Sequence, residues 1–157
     1  MKFSVLMFCI VAFGACKSHK KVAEKSTESI IQVIPQQIFA LEMTPCYGTC
    51  PSYNVVVFEN DSLIYEGIRH VAKEGKIYKK LPQGTVNQLV EKFRGANFFK
   101  FQNQYTSNMT DFPTTYISFT DKGVTKKIMD YYKAPESLRQ LESLISDLVK
   151  EEVEVKK

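Results

Sequence analysis

The 157-residue chain has no tryptophan, only two histidines and four cysteines, and no apolar run of membrane-spanning length. A transmembrane helix needs roughly 20 consecutive apolar residues. The longest stretch here, Phe3 to Phe13, offers about eleven, so a bundle of membrane-spanning helices is excluded. Disorder and collagen-like structure are excluded as well, because 44% hydrophobic and 24% charged residues are ordinary for a globular chain. Histidine chemistry has little to work with. His19 sits among lysines, where solvation is its expected state, and His70 is the one histidine left for a folded domain. No Ser-His-Asp order and no paired carboxylates can be placed from spacing alone. Zinc as a rule takes four ligands, and Cys46, Cys50 and His70 supply three. The net charge of +4 is also concentrated outside the domain. Lys2 precedes the apolar run, and four lysines against two glutamates lie between Lys17 and Glu28, leaving about +1 beyond Ser29. Nucleic-acid binding would show as a basic stripe on the domain itself, so no nucleic-acid partner is implied.

What is present begins at the N-terminus. Met1-Lys2 followed by Phe3 to Phe13 has the charge and length of a secretory signal. The small pair Gly14-Ala15 precedes Cys16, and Phe13-Gly14-Ala15-Cys16 resembles the bacterial lipobox, with Phe13 where an aliphatic residue is usual. The resemblance implies cleavage after residue 15 and acylation of Cys16. Each buried methylene contributes about 0.8 kcal/mol, and two acyl chains suffice for a stable anchor. Lys17 carries no acidic inner-membrane retention signal, and no acidic cluster follows Cys16. The expected address is the cell envelope, at the outer membrane facing the periplasm. Residues 16–36 read as an acylated cysteine and polar tether, since K-S-H-K-K-V-A-E-K-S-T-E-S cannot bury a core.

From residue 37 to 150 the pattern is that of one domain. Ile38 to Met43, Tyr53 to Phe58, Leu63 to Ile68 and Lys76 to Leu81 read as strands, with a turn at Glu59-Asn60-Asp61-Ser62. Thr85 and Gln88 have capping-box spacing, and Val86, Leu89, Val90 and Phe93 make one helical face that stops at Gly95. Phe98, Phe99 and Phe101 are expected beneath that helix. A hairpin follows over Thr114 to Thr120 and Val124 to Tyr131, turning at Asp121-Lys122-Gly123. Pro135 suits the first turn of a last helix, striped by Leu138, Leu141, Ile145 and Leu148. The fold class expected is α+β, an antiparallel sheet built from hairpins with two helices on one face. The charged tail, 151–157, is expected to fray.

Two cysteines remain in the domain, in Thr44-Pro45-Cys46-Tyr47-Gly48-Thr49-Cys50-Pro51. In an oxidising compartment an even pair is most simply a disulfide. Gly48 permits the necessary turn and the flanking prolines stiffen it. Thiol-disulfide catalysis is a competing use, although thioredoxin-type motifs have two intervening residues and precede a helix, whereas three intervene here and a strand-like run follows. A metal-binding module and a reduced pair complete the alternatives. The run from Leu41 through Thr44-Pro45-Cys46-Tyr47-Gly48-x-Cys50-Pro51-x-Tyr53, with Tyr65-x-Gly67, Phe98-Phe99, Tyr105, Thr110-Asp111-x-Pro113 and Pro135-x-x-Leu138, resembles an uncharacterised domain family of envelope lipoproteins, many from Bacteroidota. The resemblance spans about residues 37–150. It implies the domain boundary and the envelope address and supplies no activity.

The functional expectation is a membrane-anchored, non-enzymatic binding module for an envelope protein or a small ligand, with no cofactor implied. Tyr47, Tyr53, Tyr105 and Asp111 are the candidate contact residues, although an aspartate in a connecting link more often accepts backbone N–H bonds in a turn. Asp61-Ser62-Leu63 resembles the O-glycosylation acceptor of Bacteroidota, which makes Ser62 a candidate modification site.

Overall fold

The computed structural model describes residues 34–109 and 111–154. The expected signal segment, Cys16 and nearly all of the tether lie outside these residues, as do 155–157 of the tail. Seven strands form one sheet: β1 (Gln37–Met43), β2 (Ser52–Phe58), β3 (Ser62–Arg69), β4 (Gly75–Lys80), β5 (Gln104–Tyr105), β6 (Thr115–Asp121) and β7 (Val124–Asp130). Their spatial order is β4-β3-β2-β1-β6-β7-β5, antiparallel throughout except where β5 runs parallel to β7. Helices α1 (Thr85–Gly95) and α2 (Glu136–Ser146) cover one face, and a short α3 (Lys150–Val153) follows a single turn at Asp147–Val149. The α+β class expected from the sequence is the one observed.

Period-two alternation explains which face is covered. Phe39 and Leu41, Val55 and Val57, Leu63 and Tyr65, Ile117 and Phe119, and Ile128 are all fully or almost fully buried on the helix side. The centre of that layer is aromatic. Phe39 lies 5.1 Å from Phe119 and 4.6 Å from Phe93 of α1, and Phe98 closes the group 5.3 Å from Phe93. Offset and edge contacts of this kind add to the area the rings bury. Of the phenylalanines expected under α1, Phe98 is buried, Phe101 is half-buried and Phe99 is 40% exposed. On α2 the stripe holds through Leu138, Leu141 and Ile145. Val149, four residues beyond Ile145, continues that stripe and is buried, whereas Leu148 is half-buried.

Two local expectations are corrected. The capping box of Thr85 and Gln88 does not form. The Thr85 hydroxyl donates to the carbonyl of Pro82 at 2.7 Å, and the cap comes from Asp61, twenty-odd residues upstream, whose carboxylate accepts the N–H groups of Gly84 and Val86, each at 2.8 Å. These bonds to the charged form hold the Asp61 carboxyl below its ordinary range. The C-terminal tail is also not frayed as far as Glu154. The N–H groups of Ala72 and Lys73 donate to the carbonyls of Val153 and Glu152, the Tyr65 hydroxyl lies 3.1 Å from the carbonyl of Lys73, and the Glu152 carboxylate, only 5% exposed, receives Lys79 Nζ at 3.1 Å. The charge pattern of residues 150–157 hid this because Glu152 continues the apolar spacing of Ile145 and Val149 while being charged itself.

Gly67 makes this clasp possible. A Cβ there would stand 2.7 Å from the Tyr65 hydroxyl, 2.9 Å from Val71 Cγ2 and closer still to the carbonyl of Lys73. Gly67→Ala is therefore expected to destabilise the chain by about 1–3 kcal/mol through overpacking. Asp61→Ala should cost about 1 kcal/mol through loss of the helix cap. Thermal and denaturant unfolding of both variants check these values, and parent-like stability of either would refute its assignment.

Candidate functional site

The register of the sheet gathers four loops at one end. Met43 stands opposite Tyr53 and Thr115, Ser52 opposite Arg69, Gly67 opposite Gly75, and Thr115 opposite Asp130. The cysteine loop between β1 and β2 is thus neighbour to the β3–β4 loop, to the segment before β6 and to the β7–α2 connection. Two bonds fasten it: the Thr44 N–H donates to the carbonyl of Thr114 at 2.9 Å, and the Thr114 N–H donates to the Thr44 hydroxyl at 2.8 Å. The chain enters the sheet at Gln37, at the opposite end, so β1 alone separates the two by on the order of 20 Å.

Cys46 and Cys50 form a disulfide with their Cα atoms 5.6 Å apart. The bridge closes a turn in which the Gly48 N–H points at Cys46 Sγ, 3.2 Å away. This arrangement projects Tyr47, which is 92% exposed. Below the loop lies an apolar groove of about 180 Å³, lined by Met43, Pro45, Ile68 and Arg69 among others. Across the same end, Met109 and Phe112 are largely exposed, and Phe112 packs 5.8 Å from Tyr132 and 6.4 Å from Tyr131. The Tyr131 hydroxyl donates to the carbonyl of Met109 at 2.6 Å and so ties this segment down.

The candidate residues fare differently. Tyr47 is at the tip of this end. Asp111 is exposed in the segment beside it, in a left-handed backbone conformation with φ 78°. Tyr105 lies in β5, half-buried, and its hydroxyl accepts the N–H of Gln102 at 3.1 Å. Tyr53 belongs to the core, 6.0 Å from Tyr65, and burial pushes its hydroxyl pKa up. Tyr65 is pushed up to about 12, mainly by burial. Ser62 lies at the far end, half-buried, and its hydroxyl donates to Asn60 Oδ1 at 2.5 Å. His70 is exposed, also with positive φ, in the β3–β4 loop. Among the described residues no group of three or more His, Cys, Asp or Glu side chains is placed to hold a metal ion, and no helix is long and apolar enough to cross a membrane.

One carboxyl pair escaped the spacing arguments. Glu142 of α2 and Asp130 at the end of β7 are both drawn upward in pKa by burial, Glu142 to about 8 with the Asp130 charge adding to the effect. Glu142 Oε1 is buried with no hydrogen-bond partner. The available signal was that Glu142 shares a helical face with Leu138 and Ile145, where an apolar residue is the norm.

The family model for a domain of unknown function, DUF6438, matches residues 37–149. The chain belongs to the DUF6438 family. The DUF6438 match takes in both ends of the sheet, the cysteine loop and α2. No curated protein matches the chain.

Because the folded pKa of Glu142 lies above its value of 4.5 in the unfolded chain, its protonated form contributes stability that is complete below about pH 4.5 and is lost as pH rises through about 8. Glu142→Gln should therefore match the parent in acid and exceed it increasingly up to about pH 8, by on the order of 1–2 kcal/mol after allowance for partial solvation. Unfolding midpoints of parent and variant across this range check the difference; parallel pH curves would refute it.

Proposed function

We propose that this chain is a membrane-anchored, non-enzymatic interaction module of the cell envelope, and that it meets its partner with the end of the sheet that carries the cysteine loop. The observation that carries the reading is Tyr47, an almost wholly exposed aromatic side chain held on a disulfide-closed turn. Exposed Ile68, Met109 and Phe112 stand at the same end of the sheet. Tyrosine, methionine and arginine are enriched in protein interfaces, and a rigid aromatic side chain loses little conformational entropy on binding. The anchor follows from the lipobox-like residues before Cys16, and an oxidising compartment fits the bridge between Cys46 and Cys50. With acyl chains on Cys16, the polar tether would join the anchor to the domain at Gln37.

The alternative is thiol-disulfide exchange by Cys46 and Cys50, favoured by the presence of the bridge itself. Against it stands the location of the pair in a loop between two strands, without the helix N-terminus that commonly stabilises a reactive thiolate.

A photo-crosslinking side chain placed at Tyr47 in envelope-displayed protein should yield a defined adduct, whereas the same probe at Lys122, at the opposite end, should not. The intact mass of the membrane-extracted chain should begin at acylated Cys16, show two protected cysteines until reduction, and reveal any glycan on Ser62. Equal crosslinking at both positions would remove the loop end as the contact surface. Recovery of the polypeptide with Met1 and without acyl chains would remove the anchor.

A further inference from the structure

The two rims of the sheet are finished differently. At the β7 rim the segment 98–105 lies alongside: the Met129 N–H donates to the carbonyl of Asn103, the Tyr131 N–H donates to that of Tyr105, and Lys126 Nζ reaches the carbonyls of Phe99 and Phe101. At the other rim β4 pairs along its full length with β3, from Ser62 opposite Lys80 to Gly67 opposite Gly75, and no described strand pairs with its outer side. An exposed strand edge offers a row of backbone donors and acceptors to another extended chain. The side chains along it are sorted by face. Ile77 packs against the core and Lys79 reaches Glu152, so Lys76, Tyr78 and Lys80 stand on the face that the helices leave open. Tyr78 is 73% exposed, and beside it Pro35, Phe58 and Ile64 line an apolar groove of about 400 Å³.

We propose that the outer edge of β4 receives an extended acidic segment of a partner protein, added as an eighth strand, with one bulky apolar side chain seated against Tyr78 and acidic side chains two positions to either side. The charge of the edge selects this occupant. β4 carries three lysines and no acidic residue. Glu66 approaches Lys76 at 3.7 Å, Glu152 pairs with Lys79, and Lys80 Nζ is engaged by the neutral carbonyl of Asn60. A second copy pairing edge to edge would bring lysines against lysines, and like charges directly opposite one another destabilise a strand pair. A strand with acidic residues facing Lys76 and Lys80 turns the same feature into attraction, while the backbone ladder supplies affinity and the groove supplies selectivity. This surface is separate from the cysteine-loop end, so failure of one leaves the other standing.

The probe is a short synthetic peptide with glutamates flanking a central phenylalanine at alternate positions, titrated into the full chain. Backbone amide exchange is read over β4. Protection of Gly75–Lys80, together with binding that weakens about tenfold or more from low to high salt, would support the proposal. So would a comparable loss with Lys80→Glu or Tyr78→Ala, neither of which touches the core. Equal binding of the peptide with lysine in place of glutamate, or protection confined to other strands, would overturn it. A concentration-dependent dimer that protects β4 without peptide would overturn it in favour of self-association.

Discussion

The burial of one face of a single sheet against two helices is the constraint on which the rest of this structure depends. The stacked pair Phe39 and Phe119 sits on adjacent central strands, and Phe93 and Phe98 press onto it from above. Every strand has to keep its register for these rings to meet, since a shift of one residue turns a strand's apolar set to the other face. The open face is left to mixed chemistry. There Glu42 and Lys127 approach at 3.4 Å, and Lys127 lies over the ring of Tyr116. A layer covered on one side only leaves its open face, its rims and its loop ends as the places where the molecule can meet anything else.

Those places are not equivalent. The end that carries the cysteine loop is braced by bonds between separate loops, from Thr44 to Thr114 and from Tyr131 to Met109, and it displays aromatic side chains on that bracing. The β4 rim is regular backbone dressed in lysine. The first suits recognition of a shape, the second recognition of an extended chain of opposite charge. Membership of the DUF6438 family sets the limits of the domain and leaves its role to be read from such surfaces.

Much of the fold was legible because periodicity reports burial. Strands β1, β2, β3, β4, β6 and β7 and both long helices fell within a few residues of their expected bounds, because alternation and the 3.6-residue stripe are imposed by the same core. What was illegible depended on contacts distant in sequence. Nothing near Thr85 announces that Asp61 caps its helix, and β5, two residues long, has no period to read. Glu142 and Glu152 occupy apolar positions of the stripe on α2 and the segment after it, so their charge argued for solvent while their spacing argued for burial. At the site, the spacing of Cys46 and Cys50 was enough to suggest the bridge, while the 92% exposure of Tyr47 came from the structure. Tyr53, named beside Tyr47 as a candidate contact, alternates inward and belongs to the core. The cluster of Phe112, Tyr131 and Tyr132 joins residues from two sides of a hairpin, and no local pattern marks it.

The Asp61 carboxylate joins the turn between β2 and β3 to the first turn of α1, with the intervening β4 held between them. Neither the hairpin tip nor the helix start can loosen alone without leaving the other's polar groups unmet. A tie of this kind favours joint opening of the segments it connects. A single side chain therefore couples the tip of the β2–β3 hairpin to the start of α1, across the strand whose outer edge is bare.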